Sequence, residues 1–288
     1  MSQPASSPEL RLDARDLELL EGSWGPGAQL AAQLVVTLGR IYGAQSLVPV
    51  SHVQVAGVSY RNLGEAGLGF LSDWADKGAS VRVPSALNPA GMDLVAWREH
   101  GIPPEFAARQ LAVIAAYRRL GVAPTCTCTP YLVGNVPRFG EHLAWSESSA
   151  VAFANSVLGA RTNREGGPSA LAAAILGKTA HYGLHLDQQR QATLVVDVTC
   201  PLQSPADFGA LGYLTGRLAR DGVPFLRLRE APKGLVGGQD LIRSPYLPHL
   251  KALGAAMAAS GAVGLYHIAG VTPEACRRSD LVPAGTAQ

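Results

Sequence analysis

Residues Ala144–Leu171 read AWSESSAVAFANSVLGARTNREGGPSAL. Polar side chains (Ser146, Glu147, Ser148, Ser149, Asn155, Ser156, Arg161, Thr162, Asn163, Arg164, Glu165, Ser169) stand among Ala, Val, Leu and Gly, with no Lys. Ser146 or Ser148 is placed to cap a helix through the apolar run Ala150–Leu158, which Gly159 would end. A second helix is expected to open at Gly167-Pro168-Ser169, because Pro suits a first helical turn and Gly lets the backbone approach a ligand closely. Two helix N-termini beside Arg161 and Arg164 would favour a carboxylate or phosphate. A buried polar network between packed helices is the plainer alternative. The local pattern leaves both open.

On either side of this stretch, helical and short apolar segments alternate. Asp13–Leu20, Pro26–Tyr42, Asn62–Lys77 and Pro103–Leu120 read as helices; the last sets Phe106, Val113, Tyr117 and Leu120 on one face. Leu47–Val50 reads as a strand delivering Ser51-His52, and Ser80–Val83 as one leading into Pro84–Pro89. After the central stretch come strands at Leu194–Val198, Pro224–Leu228 and Val263–His267, with helices at Pro205–Asp221 and Leu247–Ala259. Gly270–Glu274 is expected to start a last helix. The alternation predicts an α/β fold of mainly parallel strands. There is no internal repeat, and only the two tails and Lys233–Asp240 resemble linkers.

The 288 residues carry 24 basic and 22 acidic side chains, so charge gives no footprint for nucleic acid or a membrane surface. Met1–Pro8 lacks the apolar core of a signal peptide, and no run approaches the roughly 20 apolar residues of a membrane span. A cytoplasmic protein is expected. The 4 cysteines do not suggest a disulfide framework, and Cys126-x-Cys128 lacks zinc-site spacing.

The polar residues also have a pattern in where they fall. His52, Asn88, Cys128 and Gly270-Val271-Thr272 each follow a short apolar segment, and strand carboxyl ends are where open α/β sheets bind ligands. Gly57-Val58-Ser59 could cradle a carboxylate through backbone N–H groups. Glu147-Ser148 sets an acid/base carboxylate beside a hydroxyl. Taken singly, His52 also reads as a structural histidine, Asn88 as a turn residue and Cys128 as an inert thiol.

Four segments in order carry a resemblance: HVQVAGVSYRNLGEAGLGFL, VRVPSALNPAGMDL, the run from TCTCTPYLVGN through AWSESSAVAFANSVLGARTNREGGPSAL to GLHL, and LYHIAGVTPEA. Together they resemble the catalytic part of the aconitase X family. The resemblance implies an aconitase-like layered α/β fold, with a disordered tail over 1–9, a catalytic domain over 10–276 and a further tail over 277–288. It implies a hydro-lyase acting on a small anionic hydroxy acid, with 5-phosphomevalonate as first choice and cis-3-hydroxyproline as the alternative. It implies an iron–sulfur cluster of the 4Fe–4S type as Lewis acid.

Position by position, Cys128 matches a cluster ligand, Glu147 and Ser148 match catalytic positions, and Gly57, Val58, Ser59, Asn88, Pro89, Glu147 and Ser148 match substrate contacts. Arg161 and Arg164 are expected to support the anion site. A small swivelling-domain subunit is the implied partner. Ser85 and Ala86 stand where relatives carry two threonines, and Ser23 where they carry Glu. The chain stops soon after Glu274, so it is expected to lack the family's C-terminal cluster-completing domain and to bind no iron alone. A further chain carrying that domain is a second implied partner, with Val263–Ile268 and the helix starting at Thr272 as the expected exposed docking face. A cluster-less remnant that binds a small anion is the remaining reading.

Overall fold

In the computed structural model of the chain, residues 10–238 and 240–287 are described. In chain order the elements are α1 (Ala14–Leu20), α2 (Pro26–Ile41), β1 (Leu47–Pro49), β2 (Val53–Val55), α3 (Tyr60–Asp76), β3 (Ser85–Leu87), α4 (Pro104–Arg119), β4 (Ala144–Trp145), α5 (Ser148–Phe153), α6 (Gly167–Leu176), β5 (Lys178–Ala180), β6 (Leu194–Val198), α7 (Pro205–Ala219), β7 (Pro224–Leu228), α8 (Leu247–Gly261) and β8 (His267–Ile268). They fall into two compact units, one of Met1–Pro130, His142–Ser146 and Glu165–Tyr182, the other of Tyr131–Glu141, Glu147–Arg164 and Gly183–Gln288.

The first unit is built on a parallel sheet of order β3–β2–β4, in register Val53↔Ser85, Val55↔Leu87 and Val53↔Ala144. Every residue of these strands is buried. Strands covered on both faces cannot alternate polar and apolar residues, which is why their sequences are short and nearly all apolar. The exceptions are Ser85, whose hydroxyl donates to the Val83 carbonyl at 2.8 Å, and Gln54, whose side-chain amide donates to the Thr127 carbonyl at 3.1 Å. Helix α6 lies against this sheet and against α2, and Ala170–Leu176 are all buried. A Cβ on Gly167 would sit 2.6 Å from the Ala56 carbonyl oxygen, so only glycine lets the first turn of α6 pack on the loop after β2.

Two predicted strands in this unit shift. Val81 N–H bonds the Leu120 carbonyl and Arg82 N–H the Ala174 carbonyl, so Ser80–Val83 spends its backbone on helix ends and the ladder begins at Ser85. Leu47–Pro49 does form a strand, but it pairs antiparallel with β5 and stands outside the parallel sheet. The strand that matters to the site starts after His52 instead of before it. His52 therefore lies at the amino end of β2, buried, where its Nδ1 accepts from the Trp145 indole N–H at 2.9 Å. That is the structural histidine of the two readings.

The second unit carries a parallel sheet of order β6–β7–β8. Helices α7 and α8 pack closely because Gly212, Gly216 and Gly261 leave no room for a Cβ between their backbones. Gly270–Glu274 forms successive turns instead of a helix. Thr272 closes the first turn, its hydroxyl accepting from Ile268 N–H. Val263, Leu265, Tyr266, His267 and Ile268 are buried, so the expected docking face is part of the core. The stretch read as a C-terminal tail packs back as well, with Leu281 buried and its carbonyl accepting from Ala192 N–H at 2.7 Å. The tail expected over 1–9 lies outside the described residues.

Arg190 is the keystone of this unit. It is fully buried, with Nε donating to both carboxylate oxygens of Glu274 at 2.8 and 3.0 Å. Its Nη atoms reach Asn155 Oδ1 and the carbonyls of Leu184, Asn155 and Ala160. A buried charge is tolerable only when paired and fully hydrogen-bonded, as here. Arg190→Met should strand the Glu274 carboxylate and cost about 3–5 kcal/mol in urea unfolding; a loss below about 1 kcal/mol would show that the network carries little.

Candidate functional site

The carboxyl ends of β2 and β3 lie at one edge of the first unit's parallel sheet, and the residues that follow them are those singled out by sequence. β2 runs into Ala56-Gly57-Val58-Ser59. Gly57 has φ +76°, in the region that favours glycine, and turns the chain sharply. The backbone N–H groups of Gly57, Val58 and Ser59 have no acceptor among the described residues, as an anion-binding loop requires. Val58 is buried as a whole residue, with its carbonyl accepting from Gln110 Nε2 at 3.0 Å, so Gly57 and Ser59 are the partly exposed residues of the loop. Ser59 caps α3, its Oγ accepting from Arg61 N–H at 3.3 Å.

β3 runs into Asn88-Pro89. Asn88 N–H bonds the Val55 carbonyl at 2.9 Å, continuing the ladder by one step. Its Oδ1 is buried with no hydrogen-bond partner among the described residues. An orphaned buried acceptor calls for a donor from outside the protein, since leaving it unpaired is costly. Pro89 is exposed beside it.

Cys128 follows an irregular segment, not a strand, with only a single parallel bridge at Ala86↔Ala123. That segment is tied to the same edge: Thr127 N–H bonds the Leu87 carbonyl at 3.1 Å, one residue before Asn88. The Cys128 thiol is exposed, whereas Cys126 is half-buried against the core with its thiol pushed up by that burial. Of this pair Cys128 is the available ligand. No group of three or more His, Cys, Asp and Glu side chains able to hold a metal occurs among the described residues. The donors present therefore do not by themselves form a cluster site.

A cavity of about 380 Å³ opens beside Gly57, lined by Ala56, Leu63, Phe70, Tyr117, Pro168 and neighbours. Its walls are apolar and unsuited to a phosphate.

The second unit holds the remaining candidates. Glu147, not a serine, caps α5: its carboxylate accepts from Ser149 N–H and Ala150 N–H at 3.1 and 2.7 Å, and from the hydroxyls of Ser148 and Ser149. Sequence reading favoured a serine because serines are commoner caps, but the longer Glu side chain folds back over the same N–H groups. Helix α5 then widens into a π turn at Ala154–Leu158, closed by Gly159 in the left-handed region. Such turns recur at functional sites.

In the centre of the opening motif the plainer alternative holds. Asn155 makes four hydrogen bonds through its amide, to Thr162, Gly264 and Arg190. Ser156 accepts from Tyr266 N–H, and Asn163 from Leu184 N–H. Arg161 donates to the His185 carbonyl and pairs with Asp187, so it supports this network. Arg164 is exposed, with no hydrogen bond or ion pair to a described residue.

Residues 9–188 match the model of the aconitase X first domain, and residues 192–285 that of the second domain. The chain belongs to the aconitase X family. It is 55% identical over 263 residues to the phosphomevalonate dehydratase large subunit of Methanothermobacter thermautotrophicus, which covers 91% of this chain and 62% of that protein. It is 40% identical over 268 residues to the cis-3-hydroxy-L-proline dehydratase of Pseudomonas aeruginosa, covering 92% of this chain and 44% of that one. The crystal structure of Thermococcus kodakaraensis aconitase X in its holo form superposes with a TM-score of 0.82 at 46% identity, over 95% of this chain and 66% of that chain. The aconitase X chain described here thus spans about three fifths of the length of the large subunit it matches, and it has the family's layered α/β fold with mainly parallel short strands. No described helix is long and apolar enough to cross a membrane.

Sequence reading missed Gln110 of α4, which is fully buried and bonded to both loops of the sheet edge. The signal was available: Gln110 lies on the apolar face that Phe106, Val113 and Tyr117 define.

Glu165 of the aconitase X motif is buried in the first unit with Ser169 and Thr179 hydroxyls as its partners. Burial pushes its carboxyl above the usual range, and the two hydroxyls only partly offset this. The native state therefore holds this proton more tightly than the unfolded chain. Its contribution to stability is full below the ordinary carboxyl pKa of about 4.5 and is lost as pH rises through the raised native value. Glu165→Gln should melt above wild type at neutral pH and lose that advantage toward about pH 4. The Ser169 hydroxyl can turn to donate to the Gly166 carbonyl, where it already lies at 3.0 Å, and accept from the new amide. A Glu165→Gln variant that melts lower at pH 7 would contradict this.

Proposed function

We propose that the chain is part of the large subunit of a hydro-lyase that dehydrates 5-phosphomevalonate, acting with a small swivelling-domain subunit in the cytoplasm. The observation that carries the reading is its 48–55% identity to four phosphomevalonate dehydratase large subunits, against 40% and 35% to two cis-3-hydroxyproline dehydratases; a fifth large subunit, that of Aeropyrum pernix, matches at 36%. The anion-suited loop at Gly57–Ser59 and the orphaned Asn88 oxygen agree with it. The loop suits the anionic group of such a substrate, whose hydroxyl can donate to the Asn88 oxygen.

Dehydration removes a hydroxyl from one carbon and a proton from its neighbour. In the aconitase X family we assign the Lewis acid to an iron–sulfur cluster, for which this chain offers Cys128 as one thiolate. The assigned substrate contacts are Gly57, Val58 and Ser59 through backbone and hydroxyl, Asn88 through its amide, Pro89 through its ring, and Arg164 through its guanidinium. Arg161 acts one step back, as support. Glu147 is assigned the acid/base carboxylate, oriented by the helix it caps, and Ser148 the hydroxyl beside it.

The complex made by co-expression with the small subunit should convert 5-phosphomevalonate far faster than cis-3-hydroxyproline. The reverse preference would favour the second substrate and overturn the first. Ser148→Ala should weaken substrate binding by about 1.5–3 kcal/mol, the usual cost of a hydrogen bond to a charged group; unchanged affinity would remove Ser148 from the site. In the same complex Cys128→Ser should lower the iron content measured by mass spectrometry, and Cys126→Ser should not.

A further inference from the structure

The ladder that fixes the sheet edge ends early. After Asn88 N–H meets the Val55 carbonyl, no strand pairing holds the loop Gly57–Ser59 against the loop Asn88–Gly91. One side chain does so. Gln110 Oε1 accepts from Tyr60 N–H and from Gly91 N–H, both at 3.0 Å, and its Nε2 donates to the Val58 carbonyl at 3.0 Å. Two N–H donors on one side and a carbonyl on the other leave a single orientation for the amide. The side chain is fully buried, so no water can stand in for it.

A second, steric feature brings the same loops together. A Cβ on Gly91 would overlap the Ser59 hydroxyl oxygen and come within 2.9 Å of Gln110 Oε1. Gly91 has no other reason to be glycine that the backbone shows, because its φ is not in the left-handed region. The absent side chain makes room for Ser59 to lie against the second loop, and Gln110 holds it there.

We infer that Gln110 is a positioning residue for substrate: its amide sets the spacing between the Gly57–Ser59 loop and the Asn88–Pro89 loop, and Gly91 lets that spacing close. The inference rests on the functional reading above. Gln110 touches no substrate in this scheme. It acts by keeping the three backbone N–H groups after β2 and the Asn88 amide at a fixed separation, and a shift of about 1 Å in such a frame is costly to binding.

The test uses the complex with its small subunit and reads Kd for 5-phosphomevalonate and cis-3-hydroxyproline, with amide hydrogen exchange at Tyr60 and Gly91. Gln110→Leu keeps the volume but strands three backbone groups; its Kd should rise about tenfold or more, and both amides should exchange faster. Gln110→Glu keeps the two accepted bonds and loses the one donated to Val58, so its Kd should rise less and the two amides should stay protected. Ile114→Val, one turn along α4, thins the same core without touching either loop and should leave Kd at the wild-type value. A folded Gln110→Leu within about threefold of wild type, or one matched by Ile114→Val, would overturn the inference. Should Gln110→Leu fail to fold, Gln110→Glu decides: wild-type affinity overturns the inference, and weaker binding with protected amides supports it. A wild-type complex that binds neither ligand would overturn the functional reading and this inference with it. Binding by wild type with unaffected variants would overturn this inference alone.

Discussion

Three buried residues, Val53, Gln54 and Val55, hold up everything the first unit can offer a ligand. As the middle strand of a parallel sheet, β2 pairs on both sides, and a slip by one residue would swap its two buried faces and carry Gln54 away from Thr127. Its direction fixes where Gly57 turns, and its partner β3 fixes where Asn88 emerges. Parallel strands put all their carboxyl ends at one edge, and there the chain can leave N–H groups unpaired without breaking a ladder. Gln54 is the polar residue of β2, and it is used to tether Thr127, hence Cys128, to the same edge.

The second unit solves a different problem. Its opening motif looked equally suited to an anion site and to a buried network, and the structure gives each part its own answer. Asn155, Ser156, Thr162 and Asn163 satisfy backbone groups around the π turn, and Arg190 with Glu274 locks the centre. A buried network of this kind must be complete, because each missing bond leaves a polar atom without water. Arg161 is tied into that network through the His185 carbonyl and Asp187, and Arg164 stands at the surface. Glu147 is a helix cap in the structure, and its assignment as the acid/base carboxylate belongs to the proposed function.

How much of this was legible in the sequence depended on the scale of the interaction. Helices showed clearly, because their caps and periodic faces are local: Asp13, Gly159 and Gly167-Pro168 stand where the pattern put them. The five-residue strands β6 and β7 also fall where the pattern put them, but the short strands of the first unit did not show, because runs of three residues carry too little pattern and their pairing partners lie far away in sequence. Ser80–Val83 looks as strand-like as Ser85–Leu87, and only the distant carbonyls of Leu120 and Ala174 decide between them. The site residues were found through their position after apolar runs and through family resemblance, whereas Gln110 was hidden by its purely tertiary bonds. Arg190 gave no signal at all, lying in a polar run that reads as surface.

The central claim is that the carboxyl edge of the β3–β2–β4 sheet receives the anionic end of a hydroxy acid. Amide chemical-shift mapping during titration with 5-phosphomevalonate tests it most directly. The expected result is that the largest shifts fall on Gly57, Val58, Ser59, Asn88 and Gly91, saturating together as one binding event. Shifts confined to the helices α7 and α8, or to the apolar cavity around Leu63 and Phe70, with Gly57–Ser59 and Asn88 unmoved at saturation, would contradict it.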